Sequence, residues 1–227
     1  MQFFSKSYKS KSLVFSSFFI FVLTFNSCAS RIPVSLESQH ETKVWILENN
    51  AQVEHPYLDK LFNSILARLA LGYRNLGVTF PRQVEIILID NQKVGVFSIC
   101  DGTIFISTGT IKHLNSAHEL TALLAHDVAH VYLEHACYRS EEKDIPEYET
   151  SADTFAIKTL QATHIDPGKL LNVYKKIYRK SEDRSSAEFD ELDSVRQENL
   201  ISRLNKIDQV PTKIPEERLF RKLKALL

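Results

Sequence analysis

Apolar residues along the chain form one continuous run near the N-terminus and then recur mostly at helical spacing. The continuous run is Leu13–Phe25. Between Leu58 and Leu69, apolar residues return every three or four positions, which predicts a helix from Pro56 to about Gly72 or Gly77. A second long helix is predicted over 115–139, where Ser116 and Glu119 stand in capping-box spacing.

Strand patterns are confined to a short central region. Val84–Asp90 is rich in β-branched residues, and the runs "VFSIC" and "TIFIS" flank Asp101-Gly102, a dipeptide that favours a two-residue hairpin turn. Further helices are predicted after Pro146, after Pro167 and after Pro215, and residues 181–199 are charge-rich. This pattern predicts an α+β, mostly helical fold.

The N-terminal run is typical of an export signal. Its thirteen residues would span only ~20 Å as a helix, which is short of the ~30 Å hydrocarbon core of a membrane. Lys6, Lys9 and Lys11 precede it, and Cys28 follows it. The segment resembles the lipobox of bacterial lipoproteins, where the cysteine is acylated; the alternative is an ordinary signal peptide with a chance cysteine. We expect a lipoprotein signal peptide over 1–27 and a polar tether over 28–50.

The lipobox resemblance also implies a location in the bacterial cell envelope. The acylated chain would be anchored to a membrane and face the periplasm, and Ala29 after the cysteine favours the outer membrane over the inner. In an oxidising compartment Cys100 and Cys137 could form a disulfide. Two separate buried thiols are the favoured interpretation, because nothing in the sequence places these cysteines side by side.

The charge balance argues against a nucleic-acid partner. Lys+Arg and Asp+Glu both number 28 in the 227 residues. Removing residues 1–27, with their three lysines and no acids, leaves 25 basic and 28 acidic residues. A mildly acidic chain lacks the basic surface that phosphate backbones require.

His126 and His130, in "LLAHDVAHVYLEH", lie four residues apart and therefore on one face of the predicted helix. Such a pair is a weak signal alone, but "ETSAD" places Glu149 and Asp153 four residues apart on the next helix. One carboxylate can bind zinc while the other orients a ligand histidine through its second ring nitrogen. Two histidines, a glutamate and an open water position form a catalytic zinc set.

Helix geometry assigns the neighbouring residues to different faces. At about 100° per residue, Asp127 lies between the histidine face and the apolar side, whereas His135 falls on the apolar side, which predicts a core histidine. Cys137 would lie about 10 Å along the axis from His130, too far to share an ion.

These motifs resemble the HtpX/BepA-type gluzincin metallopeptidases, which show His-Glu-x-x-His, a later Glu-x-x-Ala-Asp and a hairpin before the zinc helix. The resemblance covers about residues 50–207. It implies a metallopeptidase-like domain over 51–227, with a zincin-like fold in which a small antiparallel sheet lies beside a zinc-binding helix. It further implies one Zn²⁺ per chain, held by His126, His130 and Glu149, with Asp153 behind them.

The resemblance also carries expectations about substrate. Polypeptides, in particular unfolded or misassembled envelope proteins, are the implied partners. An extended peptide would pair with an edge strand beside the zinc helix, for which Thr103–Ser107 is predicted.

Some residues depart from the family pattern. Asp127 stands where relatives have their catalytic glutamate, Cys100-Asp101-Gly102 replaces Pro-Gly-Gly, and only Arg203-Leu204 remains of a motif near the active site. Three hypotheses follow: a membrane-anchored zinc endopeptidase with Asp127 as a weakened general base; a zinc-binding pseudopeptidase that holds client proteins without turnover; and a structural helical lipoprotein whose histidine pair is incidental.

We expect Cys28 to carry the lipid. The wild-type protein should fractionate with membranes and incorporate labelled palmitate, and Cys28→Ser should do neither, because it removes the thiol that is acylated. A mature protein that begins at another residue and is recovered outside the membrane fraction would contradict the lipobox assignment.

Overall fold

The computed structural model describes residues 33–138, 145–177 and 214–227. Cys28, the segment 181–199 and Arg203-Leu204 lie outside this part of the chain. The described elements are α1 (Leu36–Asn49), α2 (Pro56–Asn75), β1 (Glu85–Ile89), β2 (Val96–Ser98), β3 (Thr103–Ser107), α3 (Thr108–His113), α4 (Ala117–Tyr132), a 3-10 helix (His135–Cys137), α5 (Ile145–Ala162), α6 (Gly168–Ile177) and α7 (Glu216–Lys224). The predicted α+β, mostly helical class is confirmed. None of the described helices is both long and apolar enough to cross a membrane.

Helix α1 occupies part of the segment that we predict as a polar tether. Ser35 caps it by accepting a hydrogen bond from the Ser38 backbone N–H. Ile46 is buried among apolar residues of the sheet, and the Lys43 ammonium group donates to Glu85. Burial lowers the pKa of Lys43, but the hydrogen bonds and charges of Glu85 and, to a smaller extent, Asp101 together outweigh it, so the pKa is raised. This helix was missed because most of its apolar residues are consecutive, at positions 44–47, and do not recur at helical spacing.

The three strands form a mixed sheet in the order β1-β3-β2. β1 runs parallel to β3, with Glu85 opposite Thr103, and β2 runs antiparallel to it, with Phe97 opposite Phe105. The expected small sheet is present, but it is mixed and not antiparallel throughout. The prediction that Thr103–Ser107 is an edge strand is wrong, because β1 and β2 cover its two sides; the edge beside the zinc-helix candidate α4 is β2.

The β2–β3 hairpin is confirmed. Its loop has three residues, Cys100 to Gly102, between the hydrogen-bonded pair Ile99 and Thr103, instead of the two predicted. The Gly102 N–H donates to the Ile99 carbonyl, and the Ile99 N–H donates to the Thr103 carbonyl. Gly102 has a φ of 90°, and a Cβ there would lie 1.7 Å from the Gln83 carbonyl oxygen. Only glycine fits this position, because both the left-handed backbone and the close approach exclude a side chain.

The helices pack around a large apolar core that includes α2, α4, α5, α6 and α7. Tyr73 of α2 is fully buried and lies edge-on to Tyr132 of α4; burial, with a smaller contribution from Tyr132, raises its pKa. Gly72 lies so close to α5 that a Cβ would come within 2.9 Å of the Thr159 and Thr163 side chains. This close approach helps to fix the position of α5.

Helix α4 ends earlier than the hydrophobic pattern predicts. It stops at Tyr132, and Glu134 adopts a left-handed backbone with φ 57°, after which the chain turns into the 3-10 helix. The turn brings Cys137 beside Cys100 of the hairpin loop, with their Cα atoms 4.6 Å apart, and the two form a disulfide. The favoured prediction of two separate thiols is therefore wrong, because the helix end, which has no strong sequence signal, decides where Cys137 lies.

Candidate metal centre

Helix α4 carries the two histidines through the centre of the domain. The Ser116 hydroxyl caps the helix by accepting from the Glu119 N–H, as the capping-box spacing predicts. All residues from Glu119 to Ala129 are buried, including His126 at 7 % and Asp127 at 4 % exposure. A helix buried on all sides is held in one rotation by its neighbours, so the faces of its side chains are fixed.

Helix α5 packs against α4 and brings Glu149 to the histidine pair. The Nε2 atoms of His126 and His130 lie 3.0 Å apart. Glu149 Oε2 lies 3.4 Å from His126 Nε2, and Glu149 Oε1 lies 3.5 Å from His130 Nε2. One nitrogen from each histidine and one carboxylate oxygen thus converge within 4.8 Å of one another. Among the described residues, this is the cluster of His, Cys, Asp and Glu able to hold a metal ion.

The spacing of these donor atoms fits a metal ion. Ligand atoms about 2.0–2.1 Å from a tetrahedral zinc ion lie roughly 3.3–3.4 Å from one another. The Nε2–Nε2 separation of 3.0 Å and the shortest distances from each Nε2 to Glu149, 3.4 Å to Oε2 and 3.5 Å to Oε1, are close to that value, and a set with a single carboxylate oxygen lies within 4.8 Å. Two imidazoles and one carboxylate can therefore bind a metal with little movement.

Asp153 lies behind His126, as predicted for a residue that orients a ligand. Its Oδ1 atom is 3.0 Å from His126 Nδ1, on the side of the ring opposite the donor nitrogen. The Tyr174 hydroxyl of α6 donates to the same oxygen at 2.7 Å, and both residues are buried. A carboxylate at this position can orient the ring, and with the proton on Nδ1, Nε2 is the nitrogen left to act as a ligand atom. Tyr174 was missed because it comes from a third helix.

His135 is not a core histidine, contrary to the helix-face prediction. Because α4 ends at Tyr132, the ring returns towards the site, and its Nδ1 atom lies 3.0 Å from His130 Nδ1. It also stacks on Tyr148, with ring centroids 4.4 Å apart and planes 9° apart. Extrapolating an α-helix through Glu134 placed this residue on the wrong side.

A cavity of about 300 Å³ opens over the donor atoms. Its polar lining includes His126, Asp127, His130 and Glu149. The remaining lining comes from the edge strand, from α4 and from α6, namely Val96, Phe97, Ser98, Leu123, Tyr174 and Ile177, together with His135, Ala136 and Tyr148. The metal-binding candidates therefore face a space large enough for part of a polypeptide, with Asp127 on its wall.

Fold and site together define a class, an α+β zincin-like domain with a His-His-Glu set on two packed helices. Comparison with known proteins is more specific: residues 57–145 match peptidase family M48. A 53-residue stretch is 33 % identical to the mitochondrial metalloendopeptidase OMA1 of Bos taurus, covering 23 % of this chain but only 10 % of OMA1. The resemblance to a metallopeptidase family is confirmed at the level of this M48 match, whereas zinc and the HtpX/BepA subtype stay predictions.

The family match supports a metallopeptidase function and includes only part of the site. His126, Asp127 and His130 lie within residues 57–145, whereas Glu149 and Asp153 lie beyond them. The place of Glu149 beside the histidines therefore rests on the structure, and the ligand roles of all three residues stay predictions.

We expect the chain to bind about one metal ion through His126, His130 and Glu149, and His130→Ala or Glu149→Ala to abolish binding because each removes a donor. Asp153→Ala should weaken affinity by ~10–100-fold through lost orientation of His126. Metal content and competition with a chromogenic chelator measure both effects. Glu147→Ala, an exposed carboxylate on the same helix, is the matched control. Unchanged metal content in both ligand variants would contradict the assignment.

Proposed function

We propose that this protein is a membrane-anchored zinc metalloendopeptidase of the bacterial cell envelope that hydrolyses peptide bonds with Asp127 as a weakened general base. The observation that carries the proposal is the convergence of His126, His130 and Glu149 at a cavity that Asp127 also lines. The family match supports the reaction class, and the donor chemistry supports the metal.

Zinc is the metal that this donor set favours. Two imidazole nitrogens and one carboxylate oxygen on a pair of helices are typical of catalytic zinc, which keeps a further position open. When bound, zinc supplies Lewis acidity that polarises a carbonyl and makes water a better nucleophile. The protein's part is to hold the donors in place, through Asp153 and the packing of α4 against α5.

Asp127 is the residue placed to accept the proton of an attacking water. It follows His126 directly on α4, is buried, and lines the same cavity. Its side chain is one methylene shorter than glutamate, which withdraws the carboxylate by roughly 1.5 Å. A misplacement near 1 Å can cost ~10²-fold in rate, within the ~10²–10⁴-fold that general-base catalysis contributes. The size of the expected loss supports a reduced rate of peptide hydrolysis and not a complete loss of it.

The edge strand β2 is the candidate platform for substrate binding, in place of Thr103–Ser107, the strand that the sequence pattern favoured. The ladder with β3 pairs Phe97 with Phe105, so the backbone groups of Val96 and Ser98 turn away from β3, towards the open edge. Both residues also line the cavity. An extended polypeptide could add as a strand along β2 and place one of its carbonyls at the metal site.

Ser98→Pro should weaken the binding of an extended peptide about three- to tenfold, because it removes one outward N–H donor. The fold should persist, since proline is tolerated on an edge strand where its nitrogen faces outward. Fluorescence anisotropy with a labelled peptide measures the affinity independently of turnover. Ser98→Ala, which keeps the N–H, is the control. Equal affinities for the proline variant and the wild type would exclude β2 as the substrate platform.

Location and substrate class rest on the sequence. The Cys28 segment supports a lipid anchor facing the periplasm, with the outer membrane favoured over the inner. The resemblance supports unfolded or misassembled envelope proteins as substrates. An open cavity beside an edge strand suits such chains, because only an extended, unpaired segment can add to a strand.

The wild type and two variants, compared at equal zinc occupancy, test the role of Asp127. If it is a short base, Asp127→Glu should raise peptide hydrolysis by about 10²-fold, because it restores the reach of the carboxylate. Asp127→Asn should abolish the remaining activity, since an amide cannot accept the proton. Initial rates on a casein-type substrate measure both, with zinc content determined in parallel.

The opposite outcome would favour the pseudopeptidase hypothesis. If wild type and Asp127→Asn both show no hydrolysis, and Asp127→Glu restores none, the enzyme proposal fails. A chain that still binds zinc and peptide would then act as a holder of client proteins. A chain that binds neither would support the structural hypothesis.

A further inference from the structure

His135 contacts the second ligand histidine on the side away from the site. Its Nδ1 atom lies 3.0 Å from His130 Nδ1, and its Nε2 atom lies 3.3 Å from the Ser151 hydroxyl. Ser151 in turn donates to the Tyr148 carbonyl at 2.9 Å. The contacts form a continuous chain from His130 on α4 to the backbone of α5.

When His130 acts as a metal ligand, the chemistry of these groups determines which atom donates and which accepts in each hydrogen bond of this series. Nε2 of His130 is then the donor to the metal, so Nδ1 must carry the proton of the neutral ring. His130 Nδ1–H donates to His135 Nδ1, which leaves the proton of His135 on Nε2. That proton is donated to the Ser151 oxygen, whose own hydrogen goes to the Tyr148 carbonyl. Every donor therefore meets an acceptor.

Other contacts hold the ring of His135 in this position. It stacks on Tyr148 with planes 9° apart, and Tyr148 precedes the ligand Glu149 in α5. Two residues further on, the disulfide from Cys137 to Cys100 joins this segment to the β2–β3 hairpin. The ring is thus held by contacts with α5, and the chain segment that carries it is joined to the sheet by the disulfide.

We infer that His135 is a positioning residue that orients His130 for metal binding and couples it to the helix that carries Glu149. The inference rests on the proposed metal site. It gives the two ligand histidines different neighbours: His126 Nδ1 lies 3.0 Å from the Asp153 carboxylate, whereas His130 Nδ1 lies 3.0 Å from the imidazole of His135. The hydrogen-bond chain to the Tyr148 carbonyl links the orientation of one ligand to the backbone beside another.

Two substitutions distinguish the role of His135 as a hydrogen-bond acceptor from the role of its aromatic ring. His135→Phe keeps an aromatic ring to stack on Tyr148 but removes the acceptor for His130, and it should weaken Zn²⁺ affinity by ~10–100-fold. His135→Asn places an amide oxygen near the position of Nδ1 and should recover a large part of that loss. Affinity is measured on the full chain, purified in detergent, by competition with a chromogenic chelator. His40→Phe, on the exposed part of α1, should bind as the wild type does.

Thermal unfolding of the metal-free protein distinguishes positioning from a structural role. The melting temperature of His135→Phe without metal should equal that of the wild type; a clear decrease would identify a structural role and overturn the inference. Zn²⁺ affinity equal to wild type in His135→Phe would also overturn it, as would an asparagine variant that binds no better than the phenylalanine variant. Wild-type protein that binds no Zn²⁺ would overturn the proposed metal site and this inference together.

Discussion

The packing of α4 against α5 is the constraint on which the candidate site depends. Each helix presents two chemical groups one turn apart, His126 and His130 on α4, Glu149 and Asp153 on α5. At the observed crossing, Glu149 reaches both histidines and Asp153 reaches the far side of His126. A shift of one helix by a turn would separate the donors by about 5 Å, too far to share one ion.

The burial of α4 also determines what aspartate at position 127 can do. A shorter carboxylate could reach as far as glutamate only if its backbone moved towards the cavity. The residues from Glu119 to Ala129 are buried, and close packing on all sides resists such a movement. The same packing that holds the histidines in place therefore keeps Asp127 withdrawn. In the proposed enzyme, rigid metal binding and a weakened base would therefore have one physical cause.

The hairpin connects the substrate side of the domain with the metal side. β2 lies along the cavity and β3 lies between β1 and β2, while the hairpin loop carries Cys100. The disulfide to Cys137 joins that loop to the segment after α4, in which His135 contacts His130. The strand that could hold a polypeptide and the histidine behind a ligand are therefore parts of one cross-linked unit.

Local patterns in the sequence determined most elements and the metal-binding candidates. Pro56, the capping pair Ser116 and Glu119, and Asp101-Gly102 are short-range signals; the two helices begin where they predict, and the hairpin turns in a loop that includes Asp101-Gly102 but is one residue longer than predicted. The i, i+4 spacing places His126 and His130 on one face by helix geometry alone, and the same holds for Glu149 and Asp153. Element type and face depend on neighbours a few residues away, which a sequence displays directly.

Tertiary structure decided the features that depend on residues far apart in the chain. Strand order is one such feature. β1 pairs with β3 although β2 lies between them in the sequence, and this pairing makes β2, and not β3, an edge strand. The end of α4 is another: no glycine or proline marks Tyr132, so helical spacing placed His135 in the core and gave Cys137 no partner. Tyr174 joined the site from a third helix. Chain folding sets these contacts by packing whole elements together, and periodicity within one element carries no information about them.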